Sequence, residues 1–168
     1  MSAVTRVAAG RLGDIVGALE YGGQQRILAP AAGRAQLVRA RDWLLDTRSV
    51  VTAAAGPLRW PAMFAGGSPL VVVLTPLVDD ASAKLLVDLR TRALVVMALD
   101  TLPPGTLAPT GSELERLARR LWALERDMLL GRLADLGVPV VPWAGAAALD
   151  ATMRDLSRLA AAPRLAVS

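Results

Sequence analysis

Leu70-Val71-Val72-Val73-Leu74-Thr75-Pro76-Leu77-Val78-Asp79 decides the fold class. The run Leu70 to Leu74 has no polar alternation, as expected of a strand buried on both faces of a parallel sheet. Asp79 or Asp80 stands where an N-cap is needed for a helix carrying Leu85, Leu86 and Leu89. A second apolar run, Ala93 to Leu99, follows and leads to Asp100 before Pro103-Pro104-Gly105 breaks the chain. Ser112 and Glu115 form a capping box, and Leu114, Leu117, Leu121, Leu124 and Met128 then repeat at helical spacing. Gly137 closes this long helix as a C′ glycine. Glu113 and Arg116, and Glu115 and Arg119, are spaced for ion pairing on its solvated face. Val138 to Trp143 reads as a last strand whose prolines favour an edge, and a terminal helix is expected from about Ala146 to Leu159. Strand and helix therefore alternate, which predicts βα units and a mostly parallel sheet covered on both sides.

Upstream of the decisive stretch, residues 14–21 read as a strand, Gly22-Gly23 as a hairpin turn, and Gln24 to Leu28 as a second strand that Pro30 ends. A helix is predicted from about Arg34 to Asp46, with Leu37, Ala40 and Leu44 on one face. Residues 49–69 hold Gly56-Pro57, Pro61, Gly66-Gly67 and Pro69, the composition of a connecting loop with at most one helical turn. The whole chain, 1–168, reads as one three-layer α/β domain with an N-terminal β-hairpin.

Composition narrows the chemistry. Hydrophobic residues make up 54% of the chain and charged residues 20%, enough to build a core and too apolar for disorder. The chain has no cysteine and no histidine. Thiolate metal sites, disulfides, histidine-ligated zinc and every nucleophile activated by an imidazole are thereby excluded. The net charge is +4, but the arginines recur singly among acids and Lys84 is the one lysine, so no basic run or aromatic–basic platform points to nucleic acid. The longest apolar run, Leu70 to Val78, is about half the ~20 residues that span a bilayer. No signal-peptide stretch follows Arg6 or Arg11, and a cytoplasmic location is expected.

Thr75, Asp79, Asp80 and Asp100 fall near the carboxyl ends of the predicted parallel strands, where open α/β sheets bind ligands. Their oxygens are the donors that Mg²⁺ takes. The simpler reading is helix capping for Asp79 and Asp80 and a turn for Asp100. Gly66-Gly67-Ser68 precedes its strand and lacks a Lys-Ser/Thr pair, so it does not read as a phosphate loop. Trp43, Trp122 and Trp143 are expected as half-buried packing groups. Arg59 and Trp60, beside Pro61 in the long loop, are the candidate interaction surface.

Three stretches carry a family resemblance. Residues 14–45, with Val16-Gly17, Tyr21-Gly22-Gly23, Leu28-Ala29-Pro30, Gly33-Arg34 and Gln36-Leu37, are similar to the hairpin and first helix of the von Willebrand A-like part of "domain of unknown function 58" proteins. Val72 to Asp79 resembles that family's strand end, and Leu117 to Arg126 with Leu136 to Val140 its long helix and closing strand. The family's membrane anchor and β-rich segment have no counterpart here, nor does the first strand of its fold, which carries an Asp-x-Ser-x-Ser metal motif. Where better-preserved domains have a further metal-ligating aspartate after the threonine, Pro76 follows Thr75.

The resemblance thus implies a truncated domain whose central strand is missing, with residues 1–10 as the tail of a helix. Three outcomes then stand open, namely direct pairing of the sheet's two halves, a strand donated by another chain, or marginal stability, and direct closure accompanied by dimerisation is expected. The function it implies is a non-catalytic protein-interaction module with a degenerate metal site and no cofactor, partnered by a MoxR-type AAA+ ATPase. The alternatives are a Mg²⁺-dependent α/β enzyme using strand-end carboxylates and an inactive remnant.

Overall fold

The computed structural model describes residues 2–6, 15–21, 26–46, 61–64, 70–92, 94–103, 106 and 111–143. Among the described residues six strands form one sheet: β1 (Ser2–Arg6), β2 (Ile15–Tyr21), β3 (Ile27–Ala32), β4 (Leu70–Thr75), β5 (Val95–Asp100) and β6 (Val140–Pro142). Three α-helices accompany them among the described residues: α1 (Arg34–Leu45), α2 (Asp80–Thr91) and α3 (Glu113–Asp135). The sheet order is β3-β2-β1-β4-β5-β6, and the architecture is three-layer α/β. β4, β5 and β6 are parallel, whereas every ladder on the β1 to β3 side is antiparallel. β2 consequently points the same way as β4, and the carboxyl ends of β2, β4, β5 and β6 share one edge.

The parallel half follows from the apolar runs. Val71 and Val73 face a core with Leu85, Leu86 and Leu89 of α2, Leu133 of α3, and Leu19, Val96, Ala98 and Val138. The alternate residues Leu70 and Val72 join Met97 and Leu99 in a second cluster. Because strand side chains alternate between faces, one unbroken aliphatic run supplies both clusters. α2 is capped by Asp79, whose carboxylate accepts from the Ser82 N–H at 2.6 Å. α3 begins with the expected capping box of Ser112 and Glu115. It ends on Gly137 at φ 74°, with Gly137 N–H bonded to Ala134 O and Val138 N–H to Leu133 O. That pair of bonds is a Schellman motif, and Leu133 and Val138 pack in the same cluster.

Three expectations are corrected. Residues 2–6 are a strand, not the tail of a helix, and the two halves of the sheet do not pair directly. β1 lies between β2 and β4, with Val4 opposite both Leu19 and Val73. The physical reason is the cost of leaving two neighbouring strands with unpaired backbone groups, which Ser2–Arg6 removes on both sides at once. Pro30 does not end the second strand but lies within β3. The register with β2 shifts beside it, and β3 is the sheet's edge, a strand type that tolerates a residue with no N–H. The leucine spacing of α1 and α3 leaves open which side their apolar faces take, and these faces point outward. Leu37 and Leu44 are exposed, and Gln36 is the buried residue of α1. The buried residues of α3 are Arg126 and Leu133. The Gly22-Gly23 turn and the expected terminal helix lie outside the described residues.

A candidate functional site at the carboxyl edge

β4 ends in a tight turn. Thr75 is fully buried, and its Oγ1 accepts a hydrogen bond from the Leu77 N–H at 3.1 Å. Leu77 takes a left-handed conformation, φ 49°, which a non-glycine residue adopts at a cost of ~1–2 kcal/mol. Its side chain is buried in the core that α2 and α3 cover, so packing holds the turn. The carbonyls of Pro76 and Leu77 then converge on one donor: Arg126 Nη1 reaches them at 2.9 and 2.7 Å.

The same guanidinium uses Nη2 to bind Asp100 Oδ2 at 2.6 Å, at the end of β5. Asp100 Oδ1 accepts from the Leu102 N–H at 2.9 Å. Its backbone carbonyl accepts from Trp143 N–H, which ties in the end of β6, while Thr101 N–H donates to Thr75 O. Trp122, one turn before Arg126 on α3, lies under the guanidinium with its ring centroid at 5.6 Å. One buried arginine therefore fastens the ends of β4 and β5 to the helix that follows. An arginine fork suits the task because it can donate in several fixed directions at once.

Asp79 and Asp80 sit beside this cluster at the start of α2. Burial pulls the Asp79 carboxyl upward, but the backbone and side-chain hydrogen bonds from Ser82 outweigh it, leaving the group below the usual carboxylate value. Asp80 is the first helical residue, where its charge complements the helix dipole. Thr75, Asp79 and Asp100 are thus all near one edge, each with its oxygens engaged by the chain's own groups. Among the described residues no three acidic side chains converge as a cation site would need. Of these groups Asp100 pairs with the Arg126 guanidinium, whereas Thr75 and Asp79 accept from backbone N–H groups. Arg59 and Trp60 lie outside the described residues.

At the β2 end of the edge a second arginine makes a weaker junction. Arg26 contacts Glu20 at 3.4 Å and Asp46 at 3.1 Å, and lies 5.1 Å from the centre of the Trp43 ring. It also donates to the Asp46 carbonyl at the carboxyl end of α1, a favourable place for a cation. Asp46 is exposed, so solvent screening keeps this pair's contribution small.

Sequence reasoning gave neither Arg126 nor Gln36 a structural role. A signal for Arg126 exists: Trp122, Arg126, Leu129 and Leu133 repeat at helical spacing, so an arginine interrupts an apolar stripe. No periodicity marks the role of Gln36, because its partners are backbone carbonyls of β2 and β3. Compared with protein-family models, curated proteins and solved structures, the chain finds no match in any of the three.

Proposed function

We propose that the chain is a non-catalytic, cytoplasmic interaction module of the von Willebrand A-like kind. It engages a MoxR-type AAA+ ATPase through the loops at the carboxyl edge of the sheet. The observation that carries this reading is the pairing of Asp100 with Arg126, which commits the strand-end carboxylate to holding the edge in shape. A catalytic carboxylate or a metal ligand needs a free oxygen, whereas a docking edge needs loops held in one conformation. Among the described residues no helix is long and apolar enough to cross a membrane.

Size-exclusion chromatography of the chain mixed with a co-encoded AAA+ ATPase tests the proposal. Co-elution, weakened by Trp60→Ala, is the expected result, and separate elution across salt and nucleotide conditions contradicts it. Thermal shift with Mg²⁺, Mn²⁺ and nucleotides tests the catalytic alternative. A ligand at about 100 times its Kd stabilises by ~2.7 kcal/mol, and a shift of that size would favour the enzyme reading.

A further inference from the structure

Arg126 is the first residue of α3 to be buried, and it lies level with the end of the sheet. The helix begins at Glu113, so roughly 20 Å of it precedes that point. From Gly111 to Leu121 every residue except Arg119 is exposed. Helical segments of this length are marginal in water unless one face is packed. The overhang and the turn after it nevertheless carry a row of large apolar side chains: Leu114, Leu117, Leu121, Leu124 and Met128, between 55% and 76% exposed.

Their spacing is three, four, three and four residues. This is the a/d seam of a two-helix coiled coil, narrower than the stripe a helix turns to a globular core. On the helical wheel it lies opposite Arg126 and Leu133, the side that faces the sheet. The next seam position is Gly131, where the apolar pattern stops and nothing approaches the backbone.

The flanking charges specify a partner. Arg120 and Asp127 occupy g positions, and Glu125 and Arg132 occupy e positions; all four are exposed. Among the described residues none of them makes an ion pair. In a parallel pair of α3 helices, each g residue meets the e residue five positions on in the other helix. Arg120 then faces the partner's Glu125, and Asp127 faces the partner's Arg132. Every charged contact is complementary, and symmetry repeats each one. In the antiparallel arrangement Leu114 would face the partner's Gly131 and leave a hole, and only Arg120 and Asp127 would be matched.

We infer that the outer seam of α3 is a self-association surface that takes the α3 seam of a second copy in parallel register. This inference does not depend on the AAA+ partner, because the seam faces away from the carboxyl-edge cluster.

Sedimentation equilibrium and light scattering on the full chain, over a roughly hundredfold concentration range, test it. The expected mass is twice 17.6 kDa, falling to one copy in Leu117→Asp/Leu124→Asp with an unchanged circular dichroism spectrum. A wild-type chain that stays monomeric throughout overturns the inference, and points to residues 144–168 or another protein as occupant. Because the chain has no cysteine, orientation is readable by oxidation. Leu114→Cys should cross-link to its own copy in the parallel register. Failure of that cross-link, with bridging between position 114 and position 131 of the other copy in Leu114→Cys/Gly131→Cys, overturns the parallel arrangement. Should the aspartate variant lose its helical signal, concentration dependence of the wild-type melting temperature gives the answer instead: dependence supports the inference and its absence contradicts it.

Discussion

Gln36 on α1 and Arg126 on α3 occupy equivalent roles in the two halves of the sheet, and they differ in charge. Gln36 Nε2 donates to the Val16 carbonyl at 2.8 Å and the Ala29 carbonyl at 2.9 Å, bridging β2 and β3 where their register shifts. Gly17, between these contacts, allows the close approach: a Cβ there would meet the buried Phe64 ring at 2.6 Å. Arg126 likewise donates to two carbonyls, but it also pairs with Asp100. In each half a helix with an outward-facing leucine stripe is held by a buried polar group. The neutral clamp can be removed at the cost of its hydrogen bonds. The charged clamp cannot be removed without stranding a partner of opposite sign.

That difference ranks the expected substitutions. Arg126→Met should be the most damaging, since it leaves Asp100 half-buried without its cation and two carbonyls without a donor. A loss of about 3–5 kcal/mol in urea unfolding is expected, and Arg126→Lys should recover only part of it, because a point charge cannot span all three acceptors. Gln36→Ala should cost about 1–3 kcal/mol, with the buried Val16 carbonyl and the part-buried Ala29 carbonyl losing their donor and no charge exposed. An equal loss from both variants would erase the distinction between the clamps.

Asp79→Ala removes the α2 cap and should cost ~1 kcal/mol at neutral pH. The folded carboxyl titrates below its ordinary value, so its contribution is fully present above the unfolded value and is lost as pH falls through the folded one. The gap between wild type and Asp79→Ala should accordingly close below about pH 4 in a series of melts. Asp79→Asn keeps a good capping side chain and should lose less at neutral pH. Smallest of all, Ser112→Ala should cost about 0.5 kcal/mol or less globally, because the capping box lies on the overhang. Its signature is faster amide exchange confined to the first turns of α3.

The same contrast explains what could be read in advance. The parallel half is specified by local signals: the Leu70 to Leu74 run, Asp79 as a cap, the Ser112 and Glu115 box, and Gly137 at the helix end. Each of these acts within a few residues, so each is legible from sequence. Features set by distant partners were not. β1 is a strand because β2 and β4 leave a gap that it fills. Pro30 stays within β3 because the edge and the register shift accommodate its missing N–H. In α3 the leucine spacing identified a real apolar seam but not the side it faces, since the helix carries a second stripe containing Arg126. The candidate acids were placed at the correct edge, yet the cation that organises that edge lies on a helix far along the chain.

The pairing of Arg126 with Asp100 is the central claim, and a double-mutant cycle measures it directly. Urea unfolding of wild type, Arg126→Met, Asp100→Asn and the double variant should give a coupling of about 2–3 kcal/mol, with the double variant less damaged than the sum of the singles. Additivity within ~0.5 kcal/mol would show that the two groups do not depend on each other, and would remove the basis for reading this edge as one held closed by the chain itself.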